Sequence, residues 1–305
     1  MKVFSFLPNS LDFQNKLGML TRSVGVDFQP CKTEEEAKIF AANEKNEDFF
    51  LFVDGEKTDF LKDFSHAFPK SKIVVILDET TQNNISPHIS CENIFCYVAT
   101  HNGKFDAHEL IPILKKIQSK DHSGLEKHLG FPAVIHEKKI QNPSDKTAAL
   151  SEVGEFILKI DGNSESSKQY ASRVCELADE LVLNAICEAN PRLKHTSRET
   201  PFLLLESEAI LLKWGFDGEM FGISVTDPFG SLTRKTVMQY LDINPKTKPL
   251  NKRSYGNLGI KLIFDRLHHF IVNVTPTEKT EIICLMRFDK NLKDFDKRLR
   301  TFHYC

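Results

Sequence analysis

Residues Ala178-Asp179-Glu180-Leu181-Val182-Leu183-Asn184-Ala185 place a carboxylate and a carboxamide four positions apart on one amphipathic helix. Four residues is about one helical turn, so Glu180 and Asn184 project from one face while Leu177, Leu181 and Ile186 point elsewhere. Such a face can hold a metal ion and a general base together. The same octet can also be the solvated side of a surface helix, and the residues downstream bear on which it is.

From Glu208 to Gly230 the chain has β-forming apolar residues on both sides of Asp217-Gly218, which is a hairpin signal. The second strand of that hairpin ends at Asp227, where Pro228 and Gly230 turn the chain. Ser231 to Leu241 predicts a short helix, and the Pro, Asn and Lys content of Asn244 to Arg253 predicts a loop. Ser254-Tyr255-Gly256-Asn257-Leu258-Gly259-Ile260 then opens a helical pattern through Leu262, Ile263 and Leu267. Glycines at a helix N-terminus let backbone N–H groups approach an anion, and the helix dipole favours a phosphate. Lys252 and Arg253 stand just before those glycines, where they either touch phosphates or solvate the loop.

This order of helix, hairpin, Asp with Gly, loop and glycine-led helix resembles the ATP-binding domain shared by histidine kinases, gyrase-type ATPases and anti-sigma-factor serine kinases, over roughly residues 146 to 290. The resemblance implies an α/β two-layer sandwich that binds ATP and Mg²⁺. It makes Glu180 the general base, Asn184 the magnesium ligand and Asp227 the reader of the adenine amino group. Gly230, Gly256 and Gly259 match its glycine positions, and Lys252 and Arg253 fall in its lid, which is short as in the serine-kinase branch. The residue types suit that chemistry, because Mg²⁺ takes hard oxygen ligands and a carboxylate beside a γ-phosphate can accept a hydroxyl proton. Two departures stand out. The family's Asp-x-Gly-x-Gly is Asp227-Pro228-Phe229-Gly230 here, and Tyr255 and Asn257 occupy places where glycines usually stand.

Five short apolar runs lie in the first third: Val3 to Leu7, Val24 to Phe28, Phe49 to Val53, Ile73 to Leu77 and Ile94 to Val98. Helix-like segments separate them, including Asp12 to Leu20, Glu34 to Asn43 and Lys57 to Phe68, and His108 to Gln118 follows the last. Continuous apolar strands alternating with helices predict a doubly wound parallel five-stranded sheet. This arrangement resembles the receiver domain of response regulators over roughly residues 1 to 120. Asp54 stands at the end of the third strand, where a receiver keeps its phosphoacceptor. The acidic pair that would hold magnesium is replaced by Pro8-Asn9, the hydroxyl residue is missing near Asp78, and Ala99-Thr100 stand where a lysine is expected. The sequence therefore predicts a pseudo-receiver that binds partners, with Asp54 and Gly55 as a strand-end turn.

A chain of 305 residues suits two cores, with a predicted N-terminal domain over 1–120, a hinged polar linker over 121–145 and a second domain over 146–305. In the linker, His136-Glu137 reads as a solvated pair, and Ser144 as the N-cap of the helix that follows. No stretch approaches the roughly 20 apolar residues of a membrane span, and the N-terminus lacks a secretory cleavage site, so a cytoplasmic location is expected. The formal net charge of −2 gives no pull toward nucleic acid. Seven Cys without C-x-x-C spacing read as reduced thiols, and the histidines form no metal-ligand spacing. Two function classes follow. One is an ATP-dependent protein serine/threonine kinase acting on a small regulator with an acceptor serine. The other is a non-catalytic docking protein. Domains resembling the second half often pair, so a homodimer is among the expectations.

Overall fold

The computed structural model describes residues 2–8, 11–44, 48–77, 88, 90–100, 110, 113–114, 117–118, 123–194, 196–241, 264, 267–288 and 301–305. The protein is of mixed α/β class and divides into two compact units, Met1–His122 with Leu299–Cys305, and Ser123–Arg298. Among the described residues no helix is long and apolar enough to cross a membrane.

The first unit alternates β1 (Lys2–Phe6), α1 (Leu11–Ser23), β2 (Asp27–Pro30), α2 (Glu34–Asn43), β3 (Phe49–Asp54), α3 (Thr58–Ala67), β4 (Lys72–Leu77) and β5 (Ile94–Ala99). These strands are parallel in the order β2-β1-β3-β4-β5. Because side chains alternate across a sheet, β1, β3, β4 and β5 feed two cores, while the edge strand β2 is largely exposed. On one face, Val3, Phe50, Phe52, Val74 and Ile76 meet Phe13 and Leu17 of α1 together with Leu110, Ile113, Leu114 and Ile117. The other face is aromatic: Phe4 packs on Phe40 of α2, Phe6 on Phe60 and Phe49 on Phe64 of α3. The hydroxyl of Thr33 caps α2 by accepting from the Glu36 N–H, with Glu34, Glu35 and Glu36 in the first turn favouring the dipole. Phe52 is fully buried in the first of these cores. Phe52→Ala is expected to cost about 3–5 kcal/mol, read as a lower urea midpoint for the first unit. A loss under about 1 kcal/mol would contradict that packing.

The second unit comprises a 3₁₀ turn (Leu125–Lys127), β6 (Val134–Ile140), α4 (Pro143–Ile160), α5 (Glu165–Asn184), a π-helical turn (Ala185–Ala189), β7 (Ile210–Phe216), β8 (Met220–Asp227), α6 (Arg234–Leu241), β9 (His269–Thr275) and β10 (Lys279–Arg287). Its sheet is antiparallel in the order β9-β10-β8-β7-β6. One sheet face packs on the helices, with Phe221 of β8 against Phe156 of α4 and Tyr170 of α5. The opposite face is closed by Leu125 and Leu129 over Ile271, Ile283 and Leu285. The hairpin turn at Asp217-Gly218 uses a Gly218 φ of 102° and an Asp217 carboxylate that accepts from the Glu219 and Met220 N–H groups.

Three local features differ from the sequence reading. Within the segment read as a linker, Val134–Ile140 is a strand paired along β7 from Val134↔Phe216 to Ile140↔Ile210. Its charged centre hides the alternation, as an edge strand allows. His136 is exposed there, yet its ring stacks on Trp214 at 5.6 Å and meets Phe156 edge-on at 4.9 Å. The cap of α4 is Asn142, whose carboxamide oxygen accepts from Ser144 and Asp145, with Pro143 following. Finally, β11 (Thr301–Tyr304), read with the second half, pairs antiparallel with β5 through Phe302↔Tyr97 and His303↔Cys96. A four-residue strand carries no sign of its partner, and here it covers a sheet edge that would otherwise be unpaired.

Candidate functional site

The last turn of α5, with Asn184, runs into the π-helical turn, and Asn184, Ala185 and Glu188 stand beside Val225 and Asp227 at the end of β8. Such π turns are often found at functional sites because they re-aim side chains within a helix. A cavity of about 280 Å³ lies there, walled by Leu181, Ala185, Val225 and Ile282 and edged by Asn184, Glu188, Lys194, Asp227, Ser231 and Thr280. An apolar wall with a few convergent polar groups is the usual form of a small-molecule site.

Asp227 is the buried carboxylate of this cavity, only 6% exposed, whereas Glu188 is exposed. Its Oδ1 accepts from the Phe229 N–H at 2.9 Å, an Asx turn that fixes the rotamer as the chain leaves β8. Burial pushes its pKa up to about 6, against the pull of the Phe229 and Gly230 N–H groups toward the charged form. Thr280 faces it across the β8–β10 ladder.

Glu180 and Asn184 are brought together by their helical spacing, and a third residue joins them. Arg198 Nη1 donates to Glu180 Oε1 at 2.9 Å and Oε2 at 2.7 Å, while its Nη2 donates to Asn184 Oδ1 at 2.7 Å. Asn184 Nδ2 is buried with no hydrogen-bond partner. In this arrangement Glu180 is an ion-pair acceptor and the Asn184 oxygen is already engaged, so the residues present do not fit Mg²⁺ as the resemblance implies. Among the described residues, no group of three or more His, Cys, Asp and Glu comes together as a metal site.

Gly230 takes a φ of 58° and lies against the backbone of the β9–β10 turn, where the Thr277 N–H donates to its carbonyl at 3.3 Å. Lys252, Arg253, Gly256 and Gly259 lie outside the described residues, as do Asn9 and Asp78 of the first unit. At the receiver-like position, Asp54 ends β3 in a turn: its carbonyl accepts from the Lys57 N–H, and the Gly55 N–H donates to Ile76. Thr100 is buried, with its N–H and hydroxyl both donating to the Leu77 carbonyl. His88 places a ring nitrogen 2.9 Å from the Gly55 carbonyl, and burial lowers its pKa.

Sequence reasoning missed Arg198, Lys194, Glu188 and Thr280. The Asp227↔Thr280 pairing follows once the β8 and β10 register is known, so Thr280 had a signal. Arg198 had none, since it sits in an irregular segment whose path across α5 is set only by the fold. No known family model matches the chain, and no curated protein matches it either.

Proposed function

We propose that the protein is a signalling regulator whose second unit, of the anti-sigma-factor-kinase type of ATP-binding domain, takes an adenine nucleotide in the cavity between α5, β8 and β10. The first unit, a receiver-like domain without the acidic pair that would hold magnesium, serves as a docking surface for a protein partner. The observation that carries the reading is Asp227. A single buried carboxylate at the end of an apolar cavity is an acceptor shaped for an exocyclic amine, and the Asn184 N–H₂ supplies a donor on the same wall. Phosphate transfer to a partner's serine requires Glu180 to leave Arg198, and the geometry therefore favours nucleotide sensing over catalysis.

Titration calorimetry with adenosine, ATP and GTP tests this. Adenosine and ATP are expected to bind with Kd below about 1 mM. GTP is expected to bind at least about a hundredfold more weakly, because guanine turns a carbonyl oxygen toward the Asp227 carboxylate. Equal affinity for GTP, or no heat with adenosine, would overturn the reading.

A further inference from the structure

Asn184 belongs to two environments at once. It lines the cavity, and it gives its oxygen to Arg198 Nη2 at 2.7 Å. Arginine carries donors only, so the amide oxygen has to face it, and the group left over is the buried, unpartnered Nδ2. A divalent cation needs an oxygen ligand and is repelled by an N–H₂ group. The second hard donor of this helical turn, the Glu180 carboxylate, is held on both oxygens by Arg198 Nη1 at 2.9 and 2.7 Å. The two side chains are 25% and 30% exposed, which leaves this charge-assisted pair partly shielded from water.

One positive charge therefore stands on the Asn184 oxygen that the family resemblance gives to a metal ion and on the Glu180 carboxylate that it gives to a general base. Lys194 and Glu188 also line the cavity and offset each other in charge, while Arg198 stands behind the lining residue Asn184, whose oxygen it holds. We propose that Arg198 takes the place of the divalent cation, so that nucleotide binding at this site needs no Mg²⁺. This rests on the adenine-nucleotide reading above. An arginine has more N–H donors than these contacts engage, and its planar fork suits a phosphate oxygen. The Asn184 N–H₂ provides a further donor beside it.

The test is calorimetric titration of the full chain with ATP and with adenosine, each in excess Mg²⁺ and in EDTA. Wild-type ATP affinity is expected to change by less than about threefold between the two conditions. In Arg198→Ala the EDTA affinity for ATP is expected to fall about tenfold or more and to recover with Mg²⁺, while adenosine affinity stays put. Glu180→Gln, which keeps the shape of α5 and frees the guanidinium, is expected to tighten ATP in EDTA. A tenfold Mg²⁺ enhancement in wild type, or identical behaviour of wild type and both variants, overturns the arginine substitution. If adenosine also fails to bind wild type in either condition, the nucleotide reading itself falls; adenosine binding with metal-dependent ATP binding leaves that reading standing and removes only this inference.

Discussion

Asp227→Asn is expected to abolish adenosine binding while making the protein more stable at neutral pH. The carboxyl group is 6% exposed, and its pKa is raised from 3.8 to about 6, chiefly by burial. The folded state therefore binds a proton more tightly than the unfolded chain. Between about pH 4 and pH 6 the native state carries more protons, so stability falls as pH rises through that window and stays low above it. Two pH units correspond to an upper value of about 3 kcal/mol. Asparagine keeps an oxygen for the Phe229 N–H and has no charge to desolvate, so the variant loses this slope. Urea unfolding at several pH values from 4.5 to 7.5, roughly spanning the window, measures it: the wild-type and variant curves converge toward acid and separate toward neutrality. Ligand binding carries the complementary sign. An adenine amine prefers the carboxylate, so wild-type adenosine affinity should weaken by up to about tenfold per pH unit below about pH 6. In the variant an amide can offer its N–H₂ to that amine, with an expected loss of at least about a hundredfold at pH 7. Parallel stability curves would remove the desolvated carboxylate, and undiminished adenosine binding would remove its role.

The parts of this fold that were legible in the sequence are those whose signals are local. Phe49–Asp54 and Lys72–Leu77 are buried on both faces, so their apolar runs coincide with the strands. Asp217-Gly218 marks its hairpin because both residues act within the turn itself. The second strand was displaced, from a run at Val24–Phe28 to Asp27–Pro30. A turn precedes it, in which the Val26 N–H donates to Thr21 and Gly25 adopts a φ of 72°. Edge strands exposed to water carry too little apolar patterning to mark their own limits, which also explains why β6 read as linker. At the site, helical spacing sufficed to unite Glu180 with Asn184, and a strand end sufficed to place Asp227. The Arg198 contacts span 18 and 14 residues of sequence across an irregular segment, and no periodicity encodes such a meeting.

Gly230→Ala is expected to destabilise the second unit by about 3 kcal/mol and to weaken adenosine binding with it. Two costs add at this position. The φ of 58° lies in the left-handed region, which costs a residue with a Cβ about 1–2 kcal/mol. A Cβ would also collide with the Thr275 carbonyl and stand 2.7 Å from the Thr277 nitrogen and 2.8 Å from the Glu278 nitrogen. All three are backbone atoms, which cannot swing aside as a side-chain tip does, and overpacking of this kind typically costs about 1–3 kcal/mol. The turn that must move joins β9 to β10, and β10 carries Thr280 and Ile282 of the cavity wall. Gly218→Ala is the matched control, since its φ of 102° is also unfavourable but no atom lies within 4 Å of the new Cβ. It should show only the conformational cost and bind adenosine as the wild type does. Urea midpoints and adenosine titrations of the two variants separate the terms. Equal losses in both would mean that close approach at Gly230 contributes nothing, and that this glycine serves the turn through its dihedral angles alone.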